Sequence, residues 1–159
     1  MRVTIAGVGR LKDGAERVLV DRYVERSALG KSLGIGPVRE IEVPESRLAG
    51  VAERRMDETA RLLKGCGDAP ALVVFDAKGR HLTSEQFAQW LATQRDGGVR
   101  HTALLIGGPD GHNPALLAKA SLTLALGSMI LPHGLARAVI AEQLYRAITI
   151  LAGHPYHRA

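Results

Sequence analysis

The sequence has few of the features that mark secreted and membrane proteins. Its 159 residues include a single cysteine, Cys66, which excludes an internal disulfide and suits a reducing compartment. Residues 1–9 carry no long apolar segment and no cleavage site, so no secretory signal is predicted. Glycine, proline and charged residues interrupt the apolar stretches well before the length of a membrane span. These absences predict a cytoplasmic protein with no membrane segment.

Common cofactor and metal motifs are missing as well. Residues 7–9 read Gly-Val-Gly after a predicted strand, but Lys12 occupies the third glycine position of a dinucleotide fingerprint. No phosphate loop with Gly-Lys-Ser/Thr occurs. His154 and His157 could share a metal ion, but no third ligand lies nearby in sequence and the only cysteine is remote. We therefore expect no metal site.

What the sequence does have is an ordinary globular composition with excess positive charge. Hydrophobic residues make up 46% and charged residues 23% of the chain, and the length suits one domain with a single core. The net charge of +5 favours an anionic partner such as RNA or a phosphorylated ligand. A charge that serves only solubility is the alternative.

Strand and helix patterns alternate along the whole chain. Strand patterns with β-branched and apolar residues cover residues 3–8, 38–43, 71–75, 102–106 and 122–126. Helix patterns follow Asp13, cover residues 48–63, begin at Ser84 and at Asn113-Pro114, and cover residues 134–152. Residues 30–37, with three glycines and a proline, are expected to form a loop. This order predicts one α/β domain over residues 1–159, with a parallel sheet and helices on both faces.

Three loops at predicted strand ends could bind a ligand. They cover residues 75–79, 106–111 and 127–133. Open parallel sheets bind ligands at the carboxyl ends of their strands, and glycine lets the backbone approach a ligand closely. With the apolar residues 129–131 as a wall, such a pocket suits an adenosine better than a polyphosphate. Three tight turns chosen only for backbone geometry are the alternative.

Two features of the C-terminal part are unusual: the apolar side chains of its last predicted helix and the polar residues that follow it. The predicted helix over residues 134–152 has apolar side chains on more than one face, which favours a second contact surface and a homodimer. Deep burial within one chain is the alternative. The following residues 153–158 include two imidazoles, a phenol and a guanidinium, all suited to phosphate or base contacts.

Four segments, taken in order, identify a family. They are residues 104–111 (LLIGGPDG), 131–133 (LPH), 141–147 (AEQLYRA) and 154–158 (HPYHR). With these motifs and over its whole length, the chain resembles the RlmH family, the smallest members of the SPOUT methyltransferases. The resemblance implies the SPOUT fold, a parallel sheet with a deep trefoil knot near the C-terminus. Periodicity alone could not have indicated a knot, because knots are nearly absent from proteins.

The resemblance also implies a reaction. The family acts as a homodimer that uses S-adenosyl-L-methionine, without a metal, to methylate N3 of a pseudouridine (pseudouridine 1915) in large-subunit (23S) ribosomal RNA. It does so on the assembled ribosome. By position, the implied cofactor contacts are Phe75, Gly108, Gly127, Ser128, Met129, Ile130, Leu131 and Pro132.

The C-terminal tail supplies the implied catalytic groups. N3–H is a weak acid that must lose its proton, and a nearby cation or base lowers that cost. His157 and Arg158 are the candidates for this role, with Tyr156 to stack on or orient the base. A SPOUT-fold RNA-binding module without transfer activity is one alternative, and intact cofactor loops and an intact tail argue against it. A methyltransferase with a different ribosomal RNA target is the other.

Overall fold

The computed structural model describes residues 1–157, so Arg158 and Ala159 lie outside the described part of the chain. It contains a five-stranded parallel sheet with helices on both faces, which confirms the predicted α/β class. The strands are β1 (Arg2–Val8), β2 (Val38–Val43), β3 (Ala71–Arg80), β4 (His101–Ile106) and β5 (Leu122–Leu124). They pair in the order β2-β1-β4-β3-β5.

Two inner strands of the sheet, β1 and β4, are covered on both faces. All six residues of β4 are buried, and in β1 only Arg2 is exposed. Continuous apolar runs are typical of strands in this position. The polar residues among them find partners: Thr4 Oγ1 lies 2.9 Å from His101 Nε2, and His101 Nδ1 lies 2.8 Å from the carbonyl oxygen of Asp68. Hydrogen bonding of this kind is what allows polar groups to be buried.

The helices form one layer on each face of the sheet. They are α1 (Ala15–Arg26), α2 (Val51–Cys66), α3 (Ser84–Asp96), α4 (Pro114–Lys119) and α5 (His133–Leu151). One face is covered by α1, α3 and α5, and the other by α2 and α4. Short 3₁₀ helices cover Ser27–Leu33 and Pro155–His157. Across residues 1–157, no helix is both long and apolar enough to cross a membrane.

Some local expectations were wrong. Residues 30–37 are not simply a loop, because a 3₁₀ helix extends to Leu33 and only the residues after it are irregular. Asp13 does not cap α1, since Gly14 occupies the N-cap position. The helix α2 begins three residues later than expected and ends at Cys66, followed by Gly67 at a φ of 67°. Only glycine adopts that backbone conformation readily.

Burial within the chain explains most of the apolar surface of α5. This helix contacts both α1 and α3 and packs on the sheet, so the apolar face that is left for a partner is smaller than the sequence suggested. The apolar side chains that stay exposed are Leu135 and Val139 of α5, and Met129 and Ile130 in the loop before it. The last two are 82% and 94% exposed. A homodimer stays a prediction, which now depends on these four side chains.

The chain returns across the sheet after β4. The next strand, β5, pairs with β3 on the far side from β4, and α5 then lies on the face of α1 and α3. Near the end of β3, a Cβ on Gly79 would lie 2.7 Å from the amide nitrogen of Leu124, so glycine is required at this close approach. The amide of Ala125 donates to the carbonyl of Arg80 at 3.0 Å. The implied trefoil knot falls in this region and stays a prediction.

Candidate functional site

An open cavity of about 430 Å³ lies at the carboxyl ends of β3, β4 and β5. The three loops singled out in the sequence all line it, and Ala136 and Ile140 of α5 close one side. This is the edge at which open parallel sheets bind ligands, and the volume is within the usual range for small-molecule sites. The structure therefore brings together the three segments that the sequence predicted to form a pocket. Residues 75–79 are not a loop, however, because β3 continues to Arg80 with a shift in register after Phe75.

Most of the predicted cofactor residues line this cavity. The lining includes Phe75, Gly108, Gly127, Met129, Ile130 and Leu131. Ser128 and Pro132 belong to the same loop but are not among the lining residues. Ser128 is exposed, and Pro132 occupies the N-cap position of α5. Contact of all these residues with a cofactor stays a prediction.

The absence of a side chain at Gly108 makes room for neighbouring protein side chains rather than for a ligand. A Cβ at this position would lie 2.8 Å from Glu58 Oε2 and 3.0 Å from Val8 Cγ1, and neither side chain lines the cavity. Glu58 is buried, and its other oxygen accepts a hydrogen bond from the amide of Ser46 at 2.9 Å. The glycine thus allows its loop to rest on α2 and β1. The sequence analysis expected this glycine to make room for a ligand, whereas its missing side chain makes room for Glu58 and Val8.

Two arginines of α2 hold the same glycine loop. Arg54 Nε donates to Asp110 Oδ2 at 2.6 Å, and Arg55 Nε donates to the carbonyl of Asp110 at 2.7 Å. The hydrogen bond from Arg54 lowers the pKa of Asp110, which stays ionised at neutral pH. The loop over residues 107–111 is therefore fixed from one side by α2, while its other side lines the cavity.

The cavity also contains polar side chains, of which only His112 lies outside the segments that the sequence predicted to form the pocket. Asp76, Lys78, His112 and His133 line it. His112 is buried, and burial lowers its pKa, so the imidazole is neutral at pH 7. Its Nε2 atom has no hydrogen-bond partner within residues 1–157. In the sequence, His112 only preceded a predicted helix cap, so nothing marked it as part of a pocket.

A buried arginine fixes the start of α5. Arg137 is only 1% exposed, and its Nη1 donates to Glu42 Oε1 at 2.6 Å. Its Nη2 donates to the carbonyl oxygens of Val8 and Gly9 at 3.0 and 2.9 Å. Arg17 Nη2 binds the same Glu42 oxygen at 2.6 Å. The carboxylate of Glu42, in β2, thus binds one arginine from α1 and one from α5. Arg137 in turn binds the end of β1.

This arginine links the first turns of α5, which line the cavity, to the end of β1, which supports Gly108. Val8 packs beneath Gly108, while His133, one turn before Arg137, lines the cavity from α5. A Cβ on Gly7 would lie 2.7 Å from Arg137 Cζ, so the glycine leaves room for the guanidinium. The sequence predicted neither the burial of Arg137 nor the role of Gly7, because the contacts join residues far apart in the chain.

Tyr156 is packed on the outer face of α5. Its hydroxyl donates to Glu142 Oε1 at 3.1 Å and lies 3.3 Å from the hydroxyl oxygen of Tyr23. Its ring centroid is 4.7 Å from that of Tyr145 and 5.1 Å from Cζ of Arg146. Burial and then the hydrogen bond with Tyr23 raise the pKa of Tyr156, so the phenol stays protonated.

The structure does not bring Tyr156 or His157 of the predicted catalytic tail to the cavity of its own chain. The α5 residues that contact Tyr156 lie on the opposite side of the helix from Ala136 and Ile140, which line the cavity. His157 is half-buried, and its Nδ1 atom has no hydrogen-bond partner in the described part of the chain. Arg158 lies outside the described residues. The helix α5 therefore stands between tail and cavity.

Comparison with known proteins identifies the class. The family model described as "Predicted SPOUT methyltransferase" matches residues 1–157, and the chain belongs to this family of methyltransferases. It is 51% identical over 160 residues to "Ribosomal RNA large subunit methyltransferase H" of Xanthobacter autotrophicus, and 50% identical to the protein of that name from Sinorhizobium fredii. Each alignment covers 100% of both chains. The resemblance to the RlmH family is confirmed.

A solved structure supports the same fold. A probable methylase family protein from Haemophilus influenzae Rd KW20 aligns with a TM-score of 0.54 at 10% sequence identity, covering 99% of this chain and 70% of that one. At this identity the likeness concerns the fold alone. Within residues 1–157, no group of three His, Cys, Asp or Glu side chains is placed to hold a metal ion.

Proposed function

We propose that this chain methylates N3 of a pseudouridine in large-subunit (23S) ribosomal RNA, with S-adenosyl-L-methionine as methyl donor. The full-length relatives that are about half identical carry the name of a large-subunit ribosomal RNA methyltransferase. The observation that carries the proposal is the cavity itself, formed by a glycine loop, an apolar loop and α5 at the carboxyl edge of the sheet. A metal-independent reaction is part of the proposal.

The cavity suits a nucleoside-sized methyl donor. Phe75, Leu131 and Ile140 offer apolar walls for a flat ring, and the loop over residues 107–111 offers backbone groups for its polar edge. The charged side chains of Asp76 and Lys78 can pair with an amino acid moiety. When bound, S-adenosyl-L-methionine supplies a methyl group on a sulfonium. The lining residues would hold it in place.

Catalysis then depends on the placement and deprotonation of the base. Transfer in line to N3 is chiefly a matter of position, which a rigid pocket provides. The imidazole of His157 can accept the N3 proton, and the guanidinium of Arg158 can stabilise the resulting negative charge. Both residues follow directly after Tyr156, which is fixed on α5.

A homodimer would combine the two halves of this site. Because α5 separates the tail from the cavity in one chain, the tail would serve the cavity of a second copy. The exposed apolar side chains Met129, Ile130, Leu135 and Val139 lie beside the cavity and on the outer side of α5. Their burial against a partner would stabilise such a dimer.

Labelled S-adenosyl-L-methionine, purified ribosomes and mass spectrometry of the RNA test the proposed reaction. We expect one methyl group on N3 of one pseudouridine, and much less on a naked RNA fragment. Specific RNA interfaces bury on the order of 1,000 Å² or more, which a small chain obtains more easily from a folded particle. His157→Ala should bind the methyl donor normally but transfer slowly. Methylation at another nucleotide would favour a different target, and no transfer to ribosomes would contradict the proposal.

Mixed dimers test the shared site. A subunit lacking residues 156–159 retains its cavity, and a Gly108→Val subunit retains its tail. If each tail serves the partner's cavity, mixing the two inactive proteins restores activity, because one composite site is complete. An inactive mixture of folded, exchanging subunits would place tail and cavity in the same chain.

A further inference from the structure

We propose that Tyr156 is a positioning residue, which Glu142 and Tyr23 anchor so that the last residues of the chain project from a fixed point. This inference rests on the proposed function and replaces the expectation that Tyr156 stacks on the target base. It also assigns a role to Glu142 and Tyr23, which lie in α5 and α1.

The ring of Tyr156 already has partners in its own chain. The guanidinium of Arg146 lies over the ring, and the Tyr145 ring packs against it at an interplanar angle of 58°. Stacking on a base needs a free aromatic face. The ring of Tyr156 is instead in contact with Tyr145 and Arg146. The ring of Tyr156 therefore packs against its own subunit.

The hydroxyl joins three segments. Glu142 Oε1 accepts a hydrogen bond from it at 3.1 Å, and the same carboxylate oxygen pairs with Arg146 Nη2 at 2.6 Å. The hydroxyl oxygen of Tyr23, in α1, lies 3.3 Å from the hydroxyl oxygen of Tyr156. Hydrogen bonds to a carboxylate are stronger than bonds between neutral groups, and a phenol that keeps its proton remains a donor across neutral pH. The tail is thereby attached to α1 and α5.

The anchor shortens the tether of the proposed catalytic groups. Arg158 is two residues from Tyr156 but four from His154, whose amide donates to the carbonyl of Thr149 at 2.9 Å. Loss of the anchor would double the tether, and the volume that the tail explores would grow roughly eightfold, as the cube of the chain's reach. Because effective concentration falls in proportion to that volume, we expect the turnover number, kcat, to fall by roughly tenfold.

Substitution with phenylalanine separates anchoring from stacking. Tyr156→Phe keeps the ring and removes only the hydroxyl, so a stacking residue would retain its activity. An anchored residue would lose several-fold in kcat on ribosomes, with unchanged affinity for S-adenosyl-L-methionine. The loss stays below that of complete release, because the ring keeps its contacts with Tyr145 and Arg146. Tyr23→Phe should act in the same direction, and the double variant should be no worse than the worse single one. Tyr145→Phe is the matched control, because its hydroxyl makes no hydrogen bond within residues 1–157.

Release of C-terminal residues by carboxypeptidase Y, followed by mass spectrometry, reports the anchor without reference to activity. We expect Tyr156→Phe and Tyr23→Phe to lose their last residues several-fold faster than the wild-type protein and Tyr145→Phe, at an unchanged Tm. Should either kcat or the release rate of Tyr156→Phe equal that of the wild type, the proposal is overturned. If the wild-type protein does not methylate ribosomes, the proposed function fails instead, and the release rates still decide whether the tail is anchored.

Discussion

Replacement of Arg137 by methionine tests the buried arginine at the start of α5. Methionine retains much of the apolar stem but removes the guanidinium that binds Glu42 and the carbonyls of Val8 and Gly9. Glu42 then depends on Arg17 alone for charge compensation among the contacts described above. The two carbonyls lose their donor as well. The perturbation thus acts on α5, β1 and β2 together.

The expected loss follows from the burial of the pair. Breaking a buried ion pair by removal of one partner costs about 3–5 kcal/mol, because the other charge stays behind. The lower end applies here, since the Glu42 side chain is 23% exposed and keeps Arg17. In a domain of this size, a decrease of about 3 kcal/mol in the free energy of unfolding corresponds to a fall in Tm of roughly 6–12 °C.

Urea denaturation and calorimetry would measure the change, with Arg61→Met as the control. Arg61 pairs with Asp57 at 2.6 Å, but the two side chains are 38% and 27% exposed, so this loss should stay within about 1 kcal/mol. We also expect weaker binding of the methyl donor to Arg137→Met, since one wall of the cavity shifts. If Arg137→Met is no less stable than Arg61→Met, the buried network does not hold the start of α5.

Two further predictions concern a glycine and the cysteine. Gly108→Val should weaken binding of S-adenosyl-L-methionine in calorimetry at least tenfold, because its Cβ would meet Glu58 and Val8 and displace the loop. Gly14→Ala, at an extended φ of 168°, should bind normally, and normal binding by Gly108→Val would refute this account. Burial raises the pKa of Cys66 to about 11, so its thiol should react with a disulfide reagent at pH 8 far more slowly in the native protein than in urea. Equal rates would show that the end of α2 opens.

Local patterns were sufficient to predict the order of the elements. Continuous apolar runs indicated the strands β3 and β4, and the Asn113-Pro114 pair correctly marked the start of α4. The three loops of the cavity followed from topology, because the carboxyl ends of neighbouring parallel strands meet at one edge. These features depend on residues close together in the chain.

Contacts between distant residues were beyond this kind of prediction. Nothing near Arg137 in the sequence indicates that it binds the carbonyl of Val8, 129 residues earlier. The polar residues after α5 suggested function, but their composition did not show that Tyr156 folds back onto Glu142. The family, the reaction and the expected knot came from the resemblance of four motifs, and periodicity contributed nothing to them.

The late position of the cavity residues governs when this enzyme becomes competent during its own synthesis. Domains fold from the N-terminus as the chain emerges, and β1 to β4 can pair before the last quarter of the chain is made. The cavity, however, needs β5 and the first turns of α5 up to Ile140. A nascent chain that lacks these residues therefore has no completed pocket. The proposed methyl-donor site is thus among the last parts of the described chain to be completed during synthesis.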